Sequence, residues 1–128
     1  MKMVTKTRMM LYIEDIEIVS LFWIDNFNAK IKEEIPLPEE FKGIILELTS
    51  TVELVLFEKA FIKKYSPEVL GSFPSLMIFI EDFEAVHAKI STASEIVAYN
   101  GLETFSCSDP EGNYIAVAKA NWVVLIMR

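Results

Sequence analysis

Apolar and polar positions along the chain change their period twice in the same way. Residues 11–19, LYIEDIEIV, and residues 78–86, IFIEDFEAV, agree at five of nine positions. In each copy a short apolar run of strand character ends at Glu-Asp, and apolar residues then recur at helical spacing. Asp15 and Asp82 stand where a helix needs an N-cap, a side chain that accepts from the free N–H groups of the first turn. Glu17 and Glu84 follow, near the positive end of each helix dipole. The first helix runs to about Asn28, and the second carries Phe83, Val86 and Ile90 as one apolar stripe.

After each helix come three strand-like runs. They cover about 30–35, 43–49 and 52–57 in the first half, and 95–99, 102–107 and 113–119 in the second. Ser50-Thr51 splits the last two runs of the first half. In the second half the break is Asp-Pro-Glu-Gly-Asn, where Pro110 fixes one φ angle, Gly112 can turn left-handed and Asp109 can bond to the backbone beyond it. The pattern is βαβββ twice. It predicts an α+β fold of two similar modules in tandem within one domain, 1–128. Module one spans about 6–58, and a short helix with a Pro/Gly-rich loop spans about 59–73. Module two spans about 74–119, and an extra apolar tail covers 120–128.

Composition narrows the function classes. A chain of 128 residues, just over half apolar, can bury a core without disulfides. Cys107 and His87 are each single, which excludes a cysteine cluster, a disulfide framework and any site needing two histidines. A formal charge of −7 leaves no basic stripe for nucleic acid, and Lys63-Lys64 is too small a patch to change that. The same acidity suits a cationic ligand. MKMVTKTRMM runs straight into a strand pattern without a signal-peptide core, and the tail WVVLIM is far short of the ~20 residues that span a bilayer. The expectation is a cytoplasmic protein with neither a membrane nor a nucleic-acid partner.

The repeated βαβββ unit, together with LYIEDIEIVSLFW, FIEDFEAVHAKI and DPEGNYIAVA, resembles the glyoxalase/bleomycin-resistance/extradiol-dioxygenase (vicinal oxygen chelate) superfamily over about residues 6–119. The resemblance implies a curled mixed sheet that forms a cleft, with the helices outside. It also implies that catalytic members hold one divalent metal, with ligands from the first and last strands of both modules. Those positions fall here on Arg8, Glu53, Ser75 and Ala116. A methyl group donates nothing, a neutral hydroxyl is a weak ligand and an arginine repels cations, so three of the four lack a ligand. Two readings of the first pair stay open. In one, the Arg8 guanidinium sits in place of the ion and pairs with Glu53; in the other, both side chains point to water.

Side chains alternate across a strand, so the residues that share the face of these four positions follow by counting in twos. They are Met10 and Tyr12, Val55 and Phe57, Met77 and Phe79, and Tyr114 and Ala118. The opposite face (Met9, Leu11, Ile13; Leu76, Ile78, Ile80) is expected under the helices. The candidate cleft is therefore apolar and aromatic with a few polar anchors, the usual make-up of a small-molecule site. His87 reads as a helix-boundary residue, Cys107 as a buried inert thiol and Trp23 as core. The first functional reading is metal-independent binding or sequestration of a small, partly aromatic and possibly cationic molecule, with no cofactor. The alternative is a divalent-metal lyase, isomerase or dioxygenase with atypical ligands. A third is a protein whose cleft is filled and whose role lies in an interaction surface. The resemblance and the apolar tail both favour a homodimer.

Overall fold

The computed structural model describes residues 3–71 and 73–120. Its elements run β1 (Thr7–Ile13), α1 (Ile16–Phe27), β2 (Lys30–Pro36), β3 (Lys42–Glu47), β4 (Val52–Glu58) and α2 (Lys59–Tyr65). They continue with β5 (Met77–Ile80), α3 (Phe83–Lys89), β6 (Val97–Tyr99), β7 (Leu102–Ser108) and β8 (Tyr114–Lys119). Two four-stranded mixed sheets form, in the orders β1-β4-β3-β2 and β5-β8-β7-β6. In each, the first strand pairs parallel with the last, and the other pairings are antiparallel. The sheets thus repeat the same topology, as the sequence repeat requires. The chain divides into two compact units, Met1–Pro74 and Ser75–Arg128.

In the first unit, α1 buries Ile16, Val19, Ser20 and Trp23, the i, i+3, i+4, i+7 face of an amphipathic helix. Asp15 caps it by accepting from the Ile18 N–H at 3.1 Å. Asn28 ends it in the left-handed region (φ 55°), and the Ala29 N–H returns to the Trp23 carbonyl at 3.2 Å. Leu11, Ile13, Leu46, Leu54 and Leu56 are buried, and Met9 is half-buried. The β3–β4 turn is held by the Thr49 hydroxyl, which accepts from the N–H groups of Thr51 and Val52.

The second unit is built on the same plan with shorter pieces. Asp82 stands at the N-cap of α3, but its side chain makes no capping bond, which corrects the expectation. Its backbone (φ −85°, ψ 48°) departs from the extended conformation that aims the Asp15 carboxylate at its helix. Leu76 is buried as expected, whereas Ile78 and Ile80 are half-buried. β6 starts at Val97, two residues later than its apolar run suggested.

The Asp-Pro-Glu-Gly-Asn turn closes on Asp109, which is buried. Its carboxylate accepts from the Glu111 N–H and the Asn113 N–H, both at 2.9 Å, and from Asn113 Nδ2 at 3.1 Å. Gly112 sits at φ 83°, a region that costs glycine little. Asp109→Ala strands these donors at the β7–β8 connection. A loss of about 2–3 kcal/mol in urea unfolding is expected, and a loss below ~0.5 kcal/mol would show that the turn closes without the carboxylate. The apolar tail, which was expected to favour a homodimer, lies beyond Ala120 and outside the described residues.

Candidate functional site

The parallel pairing of β1 with β4 sets Arg8 opposite Glu53, Met10 opposite Val55 and Tyr12 opposite Phe57. β3 adds Glu47, Ile45 and Gly43 to the same three rows. One face of the first sheet therefore carries charge at one end, an aliphatic middle and aromatic rings at the other. Tyr12 lies four residue steps beyond Arg8, roughly 13 Å along an extended strand.

At the charged end Glu53 is 2% exposed, and three cations converge on it. Arg8 Nε donates to Oε1 at 2.7 Å, Lys32 Nζ donates to Oε2 at 2.6 Å, and Lys6 Nζ lies 3.4 Å from the same Oε2. The Lys32 and Arg8 hydrogen bonds outweigh the cost of burial and hold the Glu53 carboxyl down to about 2. Lys32 is in turn raised above the ordinary lysine value, first by its bond to Glu53. Of the two readings left open for Arg8 and Glu53, the structure contains the ion pair.

Two members of this cluster escaped the sequence reading. Lys6 stands two residues before Arg8, so counting in twos was enough to find it. Lys32 lies in β2, with β3 between it and Glu53, where no count from Arg8 leads. The β2–β3 register shifts between Ile31 and Glu33, and such an irregularity re-aims a side chain. β2 reads KIKEEIP, and so few apolar side chains do not mark where its register shifts.

At the aromatic end the Tyr12 and Phe57 rings lie 6.4 Å apart, and Phe57 stacks on Phe61 of α2 at 5.9 Å. Phe61 contacts Tyr65 at 5.1 Å and Phe41 at 5.8 Å, so the aromatic surface passes from the sheet onto the helix. Gly43 makes room beside it, since an added Cβ would stand 3.4 Å from the Phe57 ring. Met9, Met10 and Tyr12 of the edge strand β1 also border an open cavity of about 600 Å³ that Val69, Gly71, Phe73 and Pro74 line as well. Met10 is 52% exposed and Tyr12 half-buried, while Val55 is buried.

In the second unit Met77 pairs with Ala116 and Phe79 with Ala118, and Ser106 flanks Ala116 from β7. Met77, Phe79 and Tyr114 are exposed, and Ala118 is fully buried. Ser75 is exposed and precedes β5, which begins at Met77. This corrects its expected place on the first strand of module two.

The donor set does not fit a divalent metal. Both oxygens of Glu53 are taken by protein cations, Arg8 is itself a cation, and Ala116 offers a methyl group. Among the described residues no group of three or more His, Cys, Asp and Glu side chains is placed to hold an ion. The remaining candidates are structural. His87 Nε2 lies 2.8 Å from the Ser94 carbonyl oxygen, and its ring meets Phe105 edge-on at 4.9 Å. Cys107 is buried, and burial first and Asp109 second push its thiol up to about 11, far from a thiolate at neutral pH. Trp23 is fully buried, and Lys64 pairs with Glu39. Among the described residues no helix is long and apolar enough to cross a membrane.

No protein-family model and no curated protein matches the chain. Solved structures do. TnmS3, an antibiotic binding protein from Streptomyces sp. CB03234, superposes with a TM-score of 0.69 at 16% identity, over 94% of this chain and 100% of its own. A glyoxalase/bleomycin resistance protein/dioxygenase superfamily member from Sphaerobacter thermophilus DSM 20745 gives 0.70 at 13% identity, over 90% and 96%. Lactoylglutathione lyase from Agrobacterium tumefaciens gives 0.64 at 16% identity, over 88% and 91%. Identities this low speak to architecture and not to activity. Two mixed sheets of one repeated topology, matched over nearly the whole length of each of these structures, establish that the chain has the fold of the glyoxalase/bleomycin-resistance/dioxygenase superfamily.

Proposed function

We propose that the protein binds a small, partly aromatic organic molecule, without a metal ion, on the face that carries Met10, Tyr12, Val55 and Phe57. The observation that carries this reading is the engagement of Glu53. It is the one carboxylate among the four positions Arg8, Glu53, Ser75 and Ala116, and both of its oxygens already serve protein cations. The exposed thioether of Met10 and the neighbouring rings supply adaptable apolar contact, and the adjoining cavity has the volume of a small-molecule site. Met77, Phe79, Tyr114 and Ala116 of the second sheet form a surface of similar make-up and belong to the same proposal. The likeness in fold to an antibiotic binding protein supports a binding role. We further propose a cytoplasmic homodimer, a state that light scattering of the purified protein tests directly.

The binding test is a fluorescence titration with the neutral aromatic probe N-phenyl-1-naphthylamine, with and without EDTA. Saturable binding, indifferent to the chelator and weakened by Met10→Ala or Phe57→Ala, is the expected result. Absence of saturable binding, or binding that appears only when Ni, Zn, Mn or Fe(II) is added, overturns the proposal. The second outcome would favour a metal-dependent lyase, isomerase or dioxygenase.

A further inference from the structure

We infer that the molecule bound on this face carries an anionic group, a carboxylate, sulfonate or phosphate, which docks at the Lys6–Arg8–Lys32 cluster while its apolar body lies over Met10 toward Tyr12 and Phe57. The inference rests on the binding proposal above and assigns the chemical class of the ligand.

Three cations meet one carboxylate, so the cluster holds more positive charge than its own partner neutralises. Glu33, Glu47 and Lys30 share that sheet face by register, and the cations still outnumber the carboxylates, four to three. The donors are also in surplus. Arg8 spends Nε on Glu53, and its two terminal nitrogens bond to no other described residue. Those nitrogens form a second guanidinium edge whose paired N–H groups match a carboxylate or phosphate. Each lysine directs one contact at Glu53 and has three N–H bonds to give.

Access separates the two signs. The side chains of Arg8, Lys6 and Lys32 are 46%, 41% and 39% exposed, whereas Glu53 is 2% exposed beneath them. An incoming group meets the cations first. Glu53 acts as a buried anchor that aligns the three heads and prevents them from repelling one another apart. The overall charge of −7 suggested a cationic ligand, but a docked group responds to charges within a few ångströms far more than to a screened total. The spacing agrees with this, since roughly 13 Å from cations to rings matches a molecule with an acidic end and an aromatic body.

The experiment compares two probes with the same aromatic body. 1-Anilinonaphthalene-8-sulfonate carries a sulfonate, and N-phenyl-1-naphthylamine lacks it. The wild-type protein is expected to bind the sulfonate about tenfold more tightly at low ionic strength, with the advantage shrinking as salt is raised. Lys6→Gln and Arg8→Gln should each lower the sulfonate-to-neutral affinity ratio several-fold. Glu53→Gln should raise the ratio, an effect in the opposite direction from any general loosening of the fold. If Glu53→Gln or Arg8→Gln fails to fold, the wild-type ratio, its salt dependence and exposed Lys6→Gln decide the matter. Equal affinities for the two probes, or a ratio unmoved by salt and by Lys6→Gln, overturn the anionic assignment while leaving the binding proposal standing. Failure of both probes to bind overturns the binding proposal itself.

Discussion

Glu53→Ala is expected to lower the melting temperature at pH 7 by roughly 5 °C or more, and the difference from wild type should close as the solution is acidified. The variant leaves three cationic heads around a space that no anion fills. The cations are between 39% and 46% exposed and stay hydrated, so the loss comes from the charge-assisted hydrogen bonds that Glu53 accepts and from repulsion among three heads no longer drawn to one carboxylate. The pH dependence follows from the direction of the shift. The carboxyl titrates at about 2 in the folded protein against an ordinary value of 4.5. Its contribution is therefore complete above about pH 4.5 and is lost as pH falls toward 2. The alkaline limb runs the other way. Lys32 is raised above 10.5, so its share is present below that value and disappears as pH rises through its folded pKa. Thermal melts of wild type and variant from pH 2 to pH 8 test this. A gap that stays constant across the acid range would show that Glu53 does not act as a carboxylate.

Trp23→Ala is expected to cost about 3–5 kcal/mol in urea unfolding, enough to take a marginal domain close to its midpoint. Trp23 is fully buried on the inner stripe of α1, with Phe22 at 5.8 Å and Phe27 at 5.2 Å. Alanine leaves a cavity that the closely packed surroundings cannot close. Trp23→Phe should cost much less, about 1–2 kcal/mol, for two reasons. Phenylalanine keeps most of the ring volume, and it removes an indole N–H that is buried without a hydrogen-bond partner among the described residues. Equal losses for the two variants would mean that this N–H does find a partner in solution. Because Trp23 lies under the helix-covered face, either variant should change ligand binding only as far as it changes the folded fraction.

How far the fold and the site could be read in the sequence depends on the range of each interaction. The two IED segments announced a strand that turns into a helix, because capping and period are local and are written within a few residues. Asp15 shows this directly, and Asp82 shows its limit. The same residue at the same place fails to cap once its backbone leaves the extended region. The break at Asp109 and Gly112 was also local, with its bonds spanning four residues or fewer. Counting in twos from Arg8 and Glu53 recovered the rows Met10–Val55 and Tyr12–Phe57, since alternation persists along a regular strand.

What lay beyond the sequence is what depends on pairing across it. Whether Arg8 meets Glu53 or points to water is a question of register between strands 45 residues apart, and only the parallel β1–β4 ladder answers it. Lys32 enters the cluster because the β2–β3 register shifts beside it, an event that the few apolar side chains of β2 do not mark. The local sign of charge on this face departs from the total for the same reason. Composition sums all residues and reports an acidic protein, while the sheet brings Lys6, Arg8 and Lys32 to one carboxylate and buries that carboxylate beneath them. The sequence alone determined the repeat, the caps and turns, and which residues alternate onto a common face, all of them consequences of short-range sterics and hydrogen bonding. The tertiary structure decided which of those residues meet and which are covered, because contact and desolvation depend on where distant strands lie in space.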